Sequence, residues 1–367
     1  MPRLHLRCPA SDDRKVVSRL HNSHSGLSIW LLPLLLLAFV SPLLARSERR
    51  IYVVSSATRI HLPRDFKWQQ PERRYAEAEG ARLDLYSRGF KVGDAVYAEI
   101  RLPEKARASY LRLDGVTLPL TKTSFGYRTL FAIPSNFMAQ HMELQWTVPE
   151  LQITKYLALR PTSVTWPVTK NYRRVHGGPA RKLTADEERR RQERQAEFER
   201  KIAAERRIKA TAFSSRSADR IGLSLSHPRD MHYITSSIFV RRMQISYTIE
   251  KKKRKELGRR TIIHNGVDLR GKVGAPIFAM LDGRVVLAQR MHYEGNYTVL
   301  DHGNGVFTGY MHQSKIHVRA GQDVRAGDFI GEVGSTGFST GPHLHATLTI
   351  RGVVADPLSL LVLPIRN

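Results

Sequence analysis

From residue 226 to the C-terminus, short β-rich runs alternate with glycine-centred turns, and this rhythm restricts the segment to all-β architectures. The runs are Val285–Leu287, Tyr297–Leu300, Val306–Tyr310, Phe329–Val333 and His345–Ile350, separated by Gly303-Asn304-Gly305, Ala320-Gly321, Ala326-Gly327 and Gly337. Turn signals at roughly eight- to twelve-residue intervals leave little room for helices. A similar rhythm from Ile51 to about Ser163 (Ala95–Ile100, Tyr127–Ile133, Leu144–Val148, broken at Gly93-Asp94, Asp114-Gly115 and Pro134-Ser135) predicts a small β-sandwich. Between the two, Thr184 and Glu187 spell a capping box. They open a helix over 185–209 that is dense in Glu and Arg, with Phe198, Ile202 and Ile208 as its few apolar residues. The run 250–260, EKKKRKELGRR, reads as a basic loop beside the last domain. The expected layout is mainly β. Residues 1–48 form a signal peptide or membrane anchor, 50–165 a β-sandwich-like domain, 166–225 a linker with a charged helix, and 226–367 the domain that carries the chemistry.

Residues 26–45, GLSIWLLPLLLLAFVSPLLA, contain no charge, and Arg3, Arg7, Arg14, Lys15 and Arg19 precede them. A basic stretch before an apolar run marks a secretion signal or an uncleaved anchor. The run is just long enough to span a bilayer, whereas Pro33 and Pro42 favour a signal-like segment with Ala45 as a cleavage position. Either way the remainder is exported. Cys8 is the single cysteine and lies ahead of the apolar run, so the exported part relies on no disulfide. The net charge of +26 fits an anionic partner, whether nucleic acid, membrane surface or polymer, without choosing among them. No aromatic interleaving or motif supports nucleic-acid binding, and export argues against it.

Four histidines and an aspartate occupy three short motifs: His264-Asn265-Gly266-Val267-Asp268, Tyr310-Met311-His312 and Gly341-Pro342-His343-Leu344-His345. Residues two apart on a strand share a face at about 6.6–7 Å, so His343 and His345 look into one site. His264 and Asp268 would stand about 13 Å apart on a straight strand, too far to share an ion. Asn265-Gly266 supplies a bend that can bring them together. Two imidazoles and a carboxylate leave a fourth position open on a tetrahedral zinc, the arrangement of a catalytic rather than a structural site. A lone histidine on a strand is ordinarily a surface or satisfied core residue, and His292, His302 and His317 are read so. The helical His-Glu-x-x-His zinc motif is absent.

The segments HNGVDLRGKVGAPIFAMLDGRVV, YTVLDHGNGVFTGYMH and VRAGQDVRAGDFIGEVGSTGFSTGPHLH resemble the lysostaphin-type (LytM-type) zinc endopeptidases of bacterial cell walls, over about residues 234–357. The run GYRTLFAIP in the first β-region is more weakly similar to the β-domain that precedes the peptidase in some exported members. The resemblance implies one Zn2+ per chain held by His264, Asp268 and His345, with His312 and His343 as the catalytic pair. It implies hydrolysis of peptide bonds in peptidoglycan stems or cross-links by metal-activated water, at the bacterial cell envelope (periplasm or outer face of the inner membrane). Some relatives have lost ligands and act as activators of other wall hydrolases, so a non-catalytic envelope adaptor is the alternative. Ala346 and Thr347 stand where the family commonly has an aromatic residue and a glutamate, and Gln313 where it has leucine. The resemblance further implies that neighbouring segments, here 184–209 and 250–260, cover the groove.

Overall fold

The computed structural model describes residues 49–53, 59–136, 140–175, 183–222, 224–250 and 252–366. The signal or anchor at 1–48 lies outside the described residues. No helix among those described is long and apolar enough to cross a membrane. The fold is mainly β, and the one α-helix among the described residues runs Ala185–Phe213.

The first β-region forms a five-stranded and a four-stranded antiparallel sheet. In the four-stranded sheet, Met142, Leu144, Trp146 and Val148 alternate inward while Glu143, Gln145 and Thr147 face outward, as expected of a strand with one solvated face. The five-stranded sheet is covered on both faces, and its central strand Ala95–Arg101 is buried along nearly its whole length. Val96, Ala98 and Ile100 pack with Leu144 and Trp146, whereas Ala95 and Tyr97 join the core of the C-terminal region. That second core takes in Val267, Leu269 and Leu344 and the tail residues Leu360, Leu361 and Leu363. Polar contacts follow the same seam: Arg88 pairs with Asp94 at 2.7 Å and with Asp356 at 2.8 Å, and the Ala95 N–H donates to Ser359 Oγ at 2.9 Å.

The segment expected to be a linker contributes strands at both its ends. Ser224–Ser226 pairs in parallel with Arg59–Pro63, and Val168–Arg174 pairs in parallel with Arg241–Glu250. The run 250–260 is likewise no loop. Arg241–Glu250 and Lys253–Ile263 form a long antiparallel hairpin, so the basic residues lie on paired strands. Every residue of Lys253–Ile263 is exposed. With both faces wet, no apolar alternation is imposed on the sequence, and the strand carries none of the usual signal.

A ten-stranded sheet forms the C-terminal region. Its central path runs Ile234–Ser236, Val267–Arg270, His343–Ile350, Val306–Ile316, Gly295–Asp301, Gly283–Met291 and Asp323–Val324. His302 sits fully buried beneath it. Its Nδ1–H donates to the Asp282 carbonyl at 2.7 Å, and its Nε2 accepts from the Thr308 hydroxyl at 2.7 Å. Tyr310 OH lies 3.0 Å from Thr308 Oγ1 and accepts from the Met280 N–H, so the relay is satisfied with His302 neutral. Burial pushes its pKa from 6.5 down to about 4. Acidification therefore protonates the unfolded chain first, and stability present above pH 6.5 drains away as pH falls toward 4. Between pH 6.5 and 5 this residue accounts for about 2 kcal/mol. Denaturant titrations should show a loss of stability from pH 7 to 5 that is smaller in His302→Gln. An equal loss in that variant would place the acid sensitivity elsewhere.

Candidate metal centre

Register explains how the five predicted residues meet. His343–Ile350 lies between Val267–Arg270 and Val306–Ile316, with Asp268 directly opposite His345 on one side and Met311 opposite His345 on the other. Opposed residues of an antiparallel pair share a face, and His345 Nδ1 stands 2.8 Å from Asp268 Oδ1. His343, two residues earlier, shares that face, with its Nε2 at 3.5 Å from the same oxygen. His264 belongs to no strand. It follows the end of Lys253–Ile263 and precedes Val267–Arg270, and the turn between brings its Nε2 to 3.0 Å from Asp268 Oδ1 and 3.1 Å from His345 Nδ1. Backbone bonds from Phe239 N–H to the His264 carbonyl (2.7 Å) and from His264 N–H to the Val240 carbonyl (3.0 Å) pin the bend.

His312 reaches the same point by a different device. Thr298 pairs with Tyr310 but Asn296 pairs with Gln313, so the strand Val306–Ile316 carries an extra residue. Regular alternation would turn His312 away from the face that holds His345. The bulge, with His312 at φ +63°, turns it back. Its ring then lies 4.9 Å from that of His343 and 6.0 Å from that of His345. Gln313 braces this distortion: its buried Nε2 donates to the Tyr310 carbonyl and to Thr298 Oγ1, both at 2.9 Å. A leucine there would leave that carbonyl without this donor.

Backbone carbonyls fix the tautomers, because a carbonyl can only accept. The Nδ1–H of His264 points at Ser237 O (2.7 Å), that of His312 at Thr336 O (2.9 Å) and that of His343 at Gly341 O (2.8 Å). Each presents Nε2 to the centre. Burial alone would raise the Asp268 carboxyl, but the facing imidazoles of His264 and His345 outweigh it and hold the group well below the usual carboxylate range. Burial pushes His312 down to about 4 and lowers His345.

The donor set fits zinc. One atom each from His264, Asp268 and His345 lies within 4.8 Å of the others. With its Nδ1 proton committed to Ser237, a neutral His264 offers a lone pair to an aspartate oxygen at 3.0 Å, and two acceptors at that distance need a positive charge between or upon them. The edges of 2.8–3.1 Å fall a few tenths short of the about 3.3 Å edge of a tetrahedron with zinc–ligand bonds near 2.0 Å.

Residues outside the predicted five also shape the centre. Arg242 Nη2 donates to Asp268 Oδ2 at 2.9 Å and to Ser236 Oγ at 3.0 Å, leaving Oδ1 for the histidines. On the opposite rim, Glu294 lends its carbonyl to the His312 N–H (2.8 Å) and its side chain to Lys209 of the long helix. The helix thus borders the centre through Lys209 and through Glu205, which accepts from the His292 N–H at 2.8 Å. No sequence motif marks Arg242 or Lys209, each being one cation in a basic run. His292 stacks edge-on against Phe198, and His317 pairs with Glu332 at 2.7 Å, so neither ring joins the metal-facing cluster.

Gly266 is required by space. A Cβ there would stand 2.5 Å from His345 Nε2 and 2.6 Å from the Ala346 carbonyl. Gly266→Ala should displace His345 and weaken zinc retention by about ten- to hundredfold, read as zinc per chain after dialysis against graded chelator, with circular dichroism confirming the fold. Unchanged retention would contradict this packing.

Known proteins share the segment that builds this centre. Residues 262–357 match the sequence profile of Peptidase family M23. The peptidoglycan DD-endopeptidase ShyA of Vibrio cholerae is 42% identical over 109 residues, covering 30% of this chain and 25% of ShyA. ShyB of the same organism, also named a peptidoglycan DD-endopeptidase, is 34% identical over 140 residues, covering 38% and 32%. The match therefore spans about a quarter to a third of these curated relatives. A solved M23 peptidase structure from Pseudomonas aeruginosa covers 75% of this chain and 96% of its own, at 20% identity and a TM-score of 0.49. The segment that carries His264, Asp268, His312, His343 and His345 thus matches the model of Peptidase family M23, and that match is confined to residues 262–357.

Proposed function

We propose that this chain is an exported zinc-dependent endopeptidase that hydrolyses peptide bonds in the stems or cross-links of peptidoglycan. The observation that carries this reading is the convergence of His264 Nε2, Asp268 Oδ1 and His345 Nδ1, edge to edge at 2.8–3.1 Å, with His312 and His343 on the same cluster. The names of the relatives supply the substrate class. The complete set of five weighs against a non-catalytic envelope adaptor.

Zinc, when held by those three atoms, supplies Lewis acidity toward a peptide carbonyl and acidifies water. The chain's own residues do the rest. His312 is neutral at pH 7 because burial depresses its pKa to about 4, and its Nδ1–H is committed to Thr336, so its Nε2 lone pair is free to accept a proton. The Nδ1–H of His343 is likewise committed, to the Gly341 carbonyl, so its Nε2 also faces the centre. One of the pair accepts the proton of the attacking water at Nε2, and the resulting imidazolium returns it to the amine as the bond breaks. The other faces the developing oxyanion and stabilises it when protonated, a contribution of about 2.7–4 kcal/mol for one such donor. The bulge at His312 keeps the two rings 4.9 Å apart, so both address one reacting atom.

His345→Ala should abolish both zinc retention and release of soluble peptide from purified cell wall. His312→Ala should keep zinc and lose turnover by about 10²–10⁴-fold. Undiminished wall cleavage by the first variant, or loss of zinc from the second, would overturn these assignments.

A further inference from the structure

The centre does not stop at the family domain. Arg242, which grips Asp268, lies on the middle strand of the three-stranded sheet formed by Val168–Arg174, Arg241–Glu250 and Lys253–Ile263. The register sets Arg242 in a row with Thr169 and Ile262, the next row on that face is Asn171, Gln244 and Arg260, and the third is Arg173, Ser246 and Gly258. Cross-strand partners share a face. Arg242, Arg260 and Arg173 therefore occupy three successive rows on the face from which Arg242 reaches the metal ligands, and each row is displaced by about 6.6–7 Å along the strands.

The two outer arginines are available. Both flanking strands are exposed throughout. Neither Arg173 nor Arg260 has a side-chain partner among the described residues. The two acidic residues of these strands are already taken, Glu250 by Lys255 and Glu256 by Arg259. The face thus keeps an uncompensated positive charge that leads to the centre. An extended peptide laid along the middle strand runs between Arg260 and Arg173, which stand on opposite flanking strands about 9–10 Å apart across the sheet, and can turn one carboxylate to each. A guanidinium binds a carboxylate through paired N–H donors.

We propose that Arg260 and Arg173, in the two rows that follow Arg242, form a ladder that binds the free carboxylates of an extended peptide substrate and feeds its backbone into the metal centre. This rests on the endopeptidase reading and specifies its substrate: a peptide carrying carboxylates beside the bond to be cut.

The test compares the full zinc-loaded chain with the Arg173→Gln/Arg260→Gln double variant on two probes: purified peptidoglycan sacculi, and the same sacculi with their carboxyl groups amidated by carbodiimide and ammonia. On native sacculi the variant should need about tenfold more substrate for half-maximal rate, with its maximal rate unchanged. On amidated sacculi the wild-type and variant proteins should behave alike. Equal half-saturation on native sacculi, or the same deficit on amidated ones, would overturn the ladder. Release of no peptide by the wild-type protein would instead overturn the endopeptidase reading. Co-sedimentation then judges the ladder alone. Wild-type protein should bind native sacculi more tightly than amidated sacculi or anionic lipid vesicles, and equal binding to either comparator would overturn it.

Discussion

Everything in the C-terminal region answers to a single crowded contact: an aspartate oxygen within 3.0 Å of two imidazole nitrogens that cannot all be satisfied by the protons at hand. Removing such groups from water without compensation is costly, and here the cost is met by geometry that makes a cation the natural occupant. Cross-strand register supplies Asp268 and His345 without any special loop. The bend at 264–266 supplies the third nitrogen, and carbonyls of Ser237, Thr336 and Gly341 set the ring orientations. Arg242 takes the remaining aspartate oxygen, so both oxygens of that carboxylate are committed.

The other described segments hold this arrangement from behind and from both flanks. The five-stranded sheet of the first β-region contributes one face to its own sandwich and the other to the core beneath the central sheet. The basic hairpin stands on the Asp268 side and the long helix on the His312 side, through Arg242 and through the Lys209–Glu294 pair. A family domain recognised from about a hundred residues is therefore completed by segments that its sequence profile does not cover.

Much of this is legible in the amino-acid sequence, for physical reasons that also mark where legibility ends. His343 and His345 reveal a shared face by their spacing of two, and Asn265-Gly266 reveals a turn, because both signals are local. The basic end of the hairpin at 241–263 reads as a loop because a strand wet on both faces needs no apolar period. The bulge is invisible for the opposite reason. Strict alternation would send His312 away from the centre, and only the buried Gln313, bonded back to the Tyr310 carbonyl, hints that the strand departs from regularity there. Arg242 is hidden because nothing in a run of cations distinguishes the one that meets a carboxylate 26 positions later. Of the segments expected to cover the groove, the helix meets the rim of the centre through Lys209, whereas the hairpin meets it through Arg242, outside 250–260.

The most direct test of the account is mass analysis of the fragments that the zinc-loaded protein releases from purified peptidoglycan. A metal-dependent endopeptidase should release fragments with new amino and carboxyl termini on intact glycan strands, absent after chelation and restored by adding zinc. Fragments cut in the glycan, or peptide release that persists without metal, would contradict that reading.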